Sequence, residues 1–446
     1  MKRTLIICLG CLLTVCGASS QVLTLSDCIR IGLENNRELL NSRLDIDRSR
    51  IAVTQNRSRL LPVINGAFQL TGFVMNPVNV TTGTLLGNDF QDNPAWQKIK
   101  SMPYNANAGI RMDVPLYNRT IFASVDVART VERISSLSYS KGVEELTVRI
   151  ATLYYMAGCS LEQGILLDGN ISRMEELYHI TKALYDQGVV LEVDLSRIEI
   201  NLQNIRAARG TYSMLYMQQL NMLKYLLDLP PEHDIEIART PEVAWQADGT
   251  GVTGELPELL LAREQQKLVD RRMRAVRAGY LPSVGLTAYL GGVGYQDRFS
   301  HFFHTSAASG NWFGNSFIGV SVNIPIFDAN SKRHEIARYR IEARQASNRY
   351  EMLRDRLDTE YENARLRLEH NLEVYRTQQQ SYRQAESVYA LTAEQYREGV
   401  SSMTSLLQDE MQMRTAQSSC VEAHCQFFLA RLELLRLSGN LSLLTE

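Results

Sequence analysis

Tyr396-Arg397-Glu398-Gly399-Val400-Ser401 is a short turn between two long stretches of helical periodicity, and its reading decides the fold. Ahead of it, Tyr361, Leu368, Tyr375, Tyr382, Tyr389 and Tyr396 recur every seven residues, so they share one side of a helix wound at about 3.5 residues per turn. That is a coiled-coil seam, and packing is its expected role. Behind the turn, Met413, Ala416, Cys420, Ala423, Phe427, Ala430, Leu434 and Leu437 alternate spacings of three and four. The small residues among them let helix backbones approach closely. Gly399 supplies the residue that reverses such a pair.

The same design recurs 211 residues earlier, at Tyr185-Asp186-Gln187-Gly188-Val189. Ile150, Ala157, Gly164, Ile171, Tyr178 and Tyr185 stand where the tyrosine series stands later, and Leu195, Ile198, Leu202, Ile205, Tyr212, Tyr216, Leu223 and Leu226 line the return arm. The chain therefore reads as an internal duplication, two halves of one elongated object rather than the two or three globular domains its 446 residues would ordinarily form.

Composition narrows the classes. Eleven prolines leave room for very long helices, and a formal charge of −2 argues against a nucleic-acid binder. Residues 1–20 read as a secretory signal, with Lys2 and Arg3 before the apolar run Leu5–Val15 and the small residues Ala18-Ser19-Ser20 before Gln21. Its loss takes the formal charge from −2 to −4. Cys16, three residues after Leu13, is a competing lipid-attachment site, although Val15 is bulky for one. Cleavage after Ser20 leaves Cys28, Cys159, Cys420 and Cys425, without a CxxC spacing. Cys420 and Cys425 lie too far apart along one helix for a bridge, so buried thiols are expected.

Taken in order, Thr24 with Asp27 opens a helix expected from Leu25 to about Arg59, which Leu61-Pro62 stops. Period-two alternation follows. Ile64, Phe68 and Leu70 oppose Asn65, Gln69 and Thr71; after a polar loop through about residue 103, Ala106, Ala108, Ile110, Met112 and Val114 oppose Asn105, Asn107, Gly109, Arg111 and Asp113. The second half repeats this, with Val284, Leu286, Ala288 and Leu290 against Ser283, Gly285 and Thr287, then Ile318, Val320, Val322 and Ile324 against Gly319, Ser321 and Asn323. The expected organisation is a signal over 1–20, a first repeat over 21–228, a connector over 229–254 and a second repeat over 255–446. Strands are placed near 61–73, 104–116, 281–294 and 316–327, and helical hairpins over 118–228 and 328–437.

No stretch after the signal offers the roughly 20 apolar residues of a membrane helix. Membrane contact would then be through a β-barrel, yet four strands per chain fall short of the about 8 with which single-chain barrels start. An open sheet cannot sit in lipid with unpaired edges. Several copies must share one barrel, and a homotrimer is the simplest choice. A helix over Arg119–Tyr185 would span about 100 Å at 1.5 Å per residue, a length suited to crossing a periplasm.

These features together resemble the TolC family of outer-membrane efflux proteins. The resemblance is carried by Leu23-Thr24-Leu25-Ser26-Asp27-Cys28-Ile29 through Glu34-Asn35-Asn36, the Leu-Pro pairs at 61–62 and 281–282, the strand ends Val114-Pro115-Leu116-Tyr117-Asn118 and Ile324-Pro325-Ile326-Phe327-Asp328, and the two Tyr-x-x-Gly-Val turns. It implies a mainly α chain with a transmembrane β-barrel, a homotrimer with a 12-stranded barrel in outer-membrane lipid and a periplasmic α-helical tunnel. It also implies a passive duct docked to a periplasmic adaptor protein and an inner-membrane transporter.

By the same resemblance, Gly188, Val189, Val190, Gly399, Val400 and Ser401 match the turns that meet the adaptor, and Tyr396 and Asp194 match a hydrogen-bonded latch at the aperture. Ser401 stands where an arginine usually joins that latch. Ser405 and Gln408 stand where aspartates commonly ring the aperture, with Asp409 and Glu410 as neighbours able to substitute.

Other constellations receive plainer readings. His301 and His304 lie in an aromatic loop and are read as unliganded; Cys420 and His424, four apart, are read as helix packing because no third ligand accompanies them. No GxSxG, HExxH or P-loop occurs, and Gly291-Gly292-Val293-Gly294 leads into an aromatic loop rather than a helix, so neither enzyme nor cofactor is expected. No methionine row is seen on the helices, which favours small organic molecules over soft metal ions as cargo. A metal-ion or type I protein-secretion duct of the same architecture is the alternative, and an exported coiled-coil scaffold without a pore is the competitor from another class.

Overall fold

A computed structural model describes residues 21–82, 96–238, 256–303 and 312–444. In chain order the elements are β1 (Gln21–Leu23), α1 (Leu25–Asn35), α2 (Arg37–Ser58), β2 (Val63–Gly72), β3 (Val78–Thr82), β4 (Trp96–Lys100), β5 (Tyr104–Tyr117), α3 (Arg119–Asp186), α4 (Glu192–Leu226), β6 (Ile235–Ile237), α5 (Pro257–Ala278), β7 (Ser283–Gln296), β8 (Trp312–Asn323), α6 (Ser331–Arg397) and α7 (Met403–Ser438). The signal segment and Cys16 lie outside the described residues, as do His304 and most of the connector. Two compact units are present: one comprises residues up to 46 with 134–263 and 348–446, the other residues 47–133 and 264–347.

The second of these holds a four-stranded antiparallel sheet in the order β2-β5-β7-β8. Its register makes the expected alternation a property of the whole sheet: Ile64 pairs with Met112, Ile110 with Leu290, Ala288 with Ile318 and Leu286 with Val320. One face is thus apolar from edge to edge. It is uncovered, with Ile318 79% and Phe68 69% exposed. On the opposite face Asn65 pairs with Arg111, Gln69 with Asn107, Asp113 with Thr287 and Gly285 with Ser321. Among the described residues β2 pairs only with β5, and β8 only with β7.

Differences from the sequence reading have local causes. The polar loop expected through residue 103 contains the hairpin β3–β4. The last strand begins at Trp312 and ends at Asn323, so Ile324–Phe327, expected as strand, are not; Pro325 cannot donate to a ladder. Inside the connector, β6 pairs in parallel with β1.

The helical unit is built on a core of Ile29, Ile150, Leu223, Leu227, Leu368, Phe428 and Leu437. Tyr155 stacks on Phe428 at 4.8 Å between ring centres. The Thr24–Asp27 capping box opens α1 as the sequence indicates. The single helix expected to about Arg59 is broken at Asn36, whose Oδ1 accepts from the Glu38 and Leu39 amides at 3.0 and 3.1 Å while its Nδ2 donates to the Leu226 carbonyl at 2.9 Å. The side chain caps the new helix and ties it to the end of α4, a competition asparagine often wins against continued helix. A Cβ on Gly32 would come within 2.4 Å of Ile150 Cδ1, so any larger residue there requires that side chain to shift.

Candidate functional site

The two turns are the same object built twice. Gly188 and Gly399 adopt φ of 75° and 76°. The Gly188 amide donates to Tyr185 O at 2.8 Å and the Val189 amide to Leu184 O at 2.9 Å; Gly399 donates to Tyr396 O at 3.0 Å and Val400 to Gln395 O at 2.9 Å. This is the Schellman pattern of helix termination. No atom crowds either glycine, so the left-handed backbone alone requires it. Val189 and Val400 project from these turns, 67% and 75% exposed. Val190 and Ser401 are half-buried beside them.

The expected latch is arranged differently. Among the described residues no hydrogen bond joins Tyr396 to Asp194. Tyr396 packs against the cluster of Leu167, Met174, Ile198, Leu202, Ile205 and Met403. Asp194 pairs with Arg197 at 3.3 Å, and the same Arg197 Nη1 donates to Thr404 Oγ1 at 3.1 Å, tying α4 to α7. Arg397 reaches Glu176 of α3 at 3.4 Å. Neither arginine stood out in the sequence, because their partners are 207 and 221 residues away.

Ser405 is engaged in capping α7, its amide donating to Ser402 Oγ at 3.1 Å, and Gln408 is exposed. The two candidate substitutes turn into the chain instead. Asp409 accepts from Thr392 Oγ1 at 2.7 Å. Glu410 is 3% exposed and accepts from Asn201 Nδ2 at 3.3 Å, while its Oε1 has no hydrogen-bond partner.

Burial holds the Glu410 carboxyl above its ordinary range, against the opposing pull of Arg414. A folded pKa above the unfolded one gives stability that is complete below the unfolded carboxyl range and is lost as pH rises through the folded value. Glu410→Gln, which mimics the protonated acid, is therefore expected to raise the thermal midpoint at pH 8 by an amount corresponding to about 1–3 kcal/mol and to match the parent at pH 4. Melting curves at the two pH values check this.

The tyrosine seam packs as its periodicity indicates. Tyr361 is buried, Tyr375 stacks on His424 at 4.7 Å and Tyr382 donates to Glu386 at 3.0 Å. The structure adds an amide network: Asn170 Nδ2 donates to Gln417 Oε1 at 3.0 Å, and Gln417 Nε2 donates to the Tyr382 hydroxyl at 3.4 Å. His424, read as a packing residue, is ringed by Tyr375 and Phe428.

On the polar face of the sheet, Arg111 Nε bonds to Asp113 Oδ2 at 2.9 Å and Thr287 Oγ1 to Asp113 Oδ1 at 2.7 Å. Tyr289 stacks on Phe317 at 5.6 Å. Its hydroxyl lies 2.5 Å from where a Cβ would stand on Gly109 or Gly291, and at Gly291 the Ala108 carbonyl oxygen would also lie at 2.5 Å, so that position needs glycine. The glycine run 291–294 belongs to β7. His301 bonds to Asp297 at 2.8 Å. No helix among the described residues is long and apolar enough to cross a membrane.

The chain combines an open sheet with one uncovered apolar face and pairs of long helices, and the comparisons with known proteins place it. The model of the outer membrane efflux protein family matches residues 29–227 and 254–440. The chain belongs to that family, whose members are outer-membrane channels rather than enzymes. Among solved structures it is similar to the open state of the MtrE outer membrane channel of Neisseria gonorrhoeae, at 20% identity and a TM-score of 0.72 over 94% of this chain and 89% of that one. The outer membrane protein VceC of Vibrio cholerae is 15% identical with a TM-score of 0.73, over 93% and 96%. The CmeC outer membrane channel of Campylobacter jejuni is 15% identical with a TM-score of 0.72, over 93% and 85%. At these identities the likeness is one of fold. No curated protein matches the sequence.

Proposed function

We propose that three copies of this chain close one barrel of twelve strands, four from each, and that the assembly is the outer-membrane duct of a tripartite efflux system. It passively exports small molecules delivered by an inner-membrane pump through a periplasmic adaptor. The observation that carries this reading is the pair of open edges on β2 and β8 beside an uncovered apolar face. Unpaired backbone groups in hydrocarbon cost several kcal/mol each, so edge must meet edge between copies. The repeated element order supports a duplicated unit, with each repeat supplying two strands and one helical hairpin.

Native mass spectrometry of the detergent-extracted protein tests the assembly, with trimers expected and conductance in planar bilayers. Single-copy particles that stay dissolved without detergent and pass no current would refute it. The partners are tested by crosslinking in intact envelopes, where an adaptor and a pump are expected among the captured proteins.

The exposed Val189 and Val400 at two equivalent turns support docking of the adaptor there. Arg197, Asp194 and Thr404, with Arg397 and Glu176, hold the helical ends in the closed arrangement, and Tyr396 acts by packing. Exposed pairs of this kind are worth about 0.2–1 kcal/mol. Arg197→Ala combined with Arg397→Ala is thus expected to raise single-channel conductance, and Tyr396→Phe to leave it unchanged. The reverse pattern in planar-bilayer recordings would return the latch to the tyrosine.

A further inference from the structure

Cys159 on α3 and Cys425 on α7 were not paired by any sequence motif, yet the antiparallel helices set them on facing sides, near enough for each thiol to perturb the other. Contacts on either side of the pair fix this juxtaposition. Tyr155, four residues before Cys159, stacks on Phe428, three residues beyond Cys425, at 4.8 Å. Gln163, four residues after Cys159, donates to Ser418 O at 3.0 Å and approaches Ser418 Oγ at 3.1 Å. The helices are therefore pinned above and below the pair. Both cysteines are half-buried, whereas Cys28 is fully buried on α1.

We propose that Cys159 and Cys425 form a disulfide after export, a covalent staple between the hairpin of the first repeat and that of the second. A chain of the outer membrane folds in the bacterial periplasm, where disulfides form and persist. The chemistry needs an exported thiol–disulfide oxidant. The Cys425 thiolate attacks one sulfur of the oxidant's disulfide, expelling the other as a thiolate and giving a mixed disulfide. Cys159 then loses its proton and attacks Cys425 Sγ, releasing the oxidant as a dithiol. Two thiol protons and two electrons leave the chain, and the oxidant's S–S bond takes them up. Cys425 suits the attacking role, since the neighbouring Cys159 lowers its pKa, while Cys159 is held above the ordinary thiol range by Cys425 and by burial.

The test uses full-length protein extracted from the envelope with its thiols trapped at acid pH. After denaturation without reductant, two titratable thiols are expected, Cys28 and Cys420, together with a linked peptide joining the segments around Cys159 and Cys425. Cys159→Ser, a substitution of nearly equal size, is expected to titrate three thiols and to yield no linked peptide. Four thiols in the parent, or a bridge that involves Cys28 or Cys420, would overturn the proposal.

Discussion

Ile318→Arg is expected to keep the protein out of the outer membrane. Ile318 lies in the middle of β8, opposite Ala288 on the apolar face, and is 79% exposed. An arginine at the midplane of a barrel's lipid face costs about 2–4 kcal/mol per copy, and in a trimer every copy brings one. Ser321, three residues on and on the opposite face, pairs with Gly285. Ser321→Arg, aimed at the proposed lumen, is therefore expected to assemble. The check is the amount of each variant in the outer-membrane fraction. Equal recovery of the two would mean that the apolar face does not meet lipid.

Gly399→Trp is expected to abolish export while trimers persist. The backbone there has a φ of 76° and is terminated by hydrogen bonds from Gly399 and Val400. Any L residue in that conformation carries a strain of about 1–2 kcal/mol, too little to unfold helices of 67 and 36 residues. Tryptophan in addition places a large ring beside Val400, on the surface proposed to meet the adaptor. Resistance assays and trimer mass together separate the two effects. Full export by the variant would contradict docking at the turns.

The parts of the molecule legible in the sequence are those written in local periodicity. Period-two alternation from Asn105 to Val114 gave β5, and its faces are as the residues indicated. Tyr185-Asp186-Gln187-Gly188-Val189 could be read as a turn because a left-handed residue at a helix end favours glycine wherever it occurs. Where aromatic residues intrude on the polar face the pattern blurs. Phe313 and Phe317 lie on the side of Asn315 and Ser321, and this hid the first residues of β8. The break at Asn36 was hidden for another reason: neither Gly nor Pro marks it, and the partner that rewards it, Leu226 O, is 190 residues away.

The site was less legible than the fold. Arg197–Thr404 and Asn170–Gln417 depend on the axial register of helices from different repeats, which no single window of sequence contains. The resemblance supplied Tyr396–Asp194 as a pair, and in this chain Arg197 takes the aspartate instead. Glu410 could be named as a candidate at the aperture but not placed, since a small rotation of α7 decides between an opening and the interior.

The bare rims of β2 and β8 also bear on heredity and dosage. If each ring needs a sound neighbour on either side, a faulty copy is harmful in proportion to the company it keeps, not merely to its own number. A cell carrying one intact and one rim-damaged allele would then lose far more than half of its working ducts, and the damaged allele would behave as dominant.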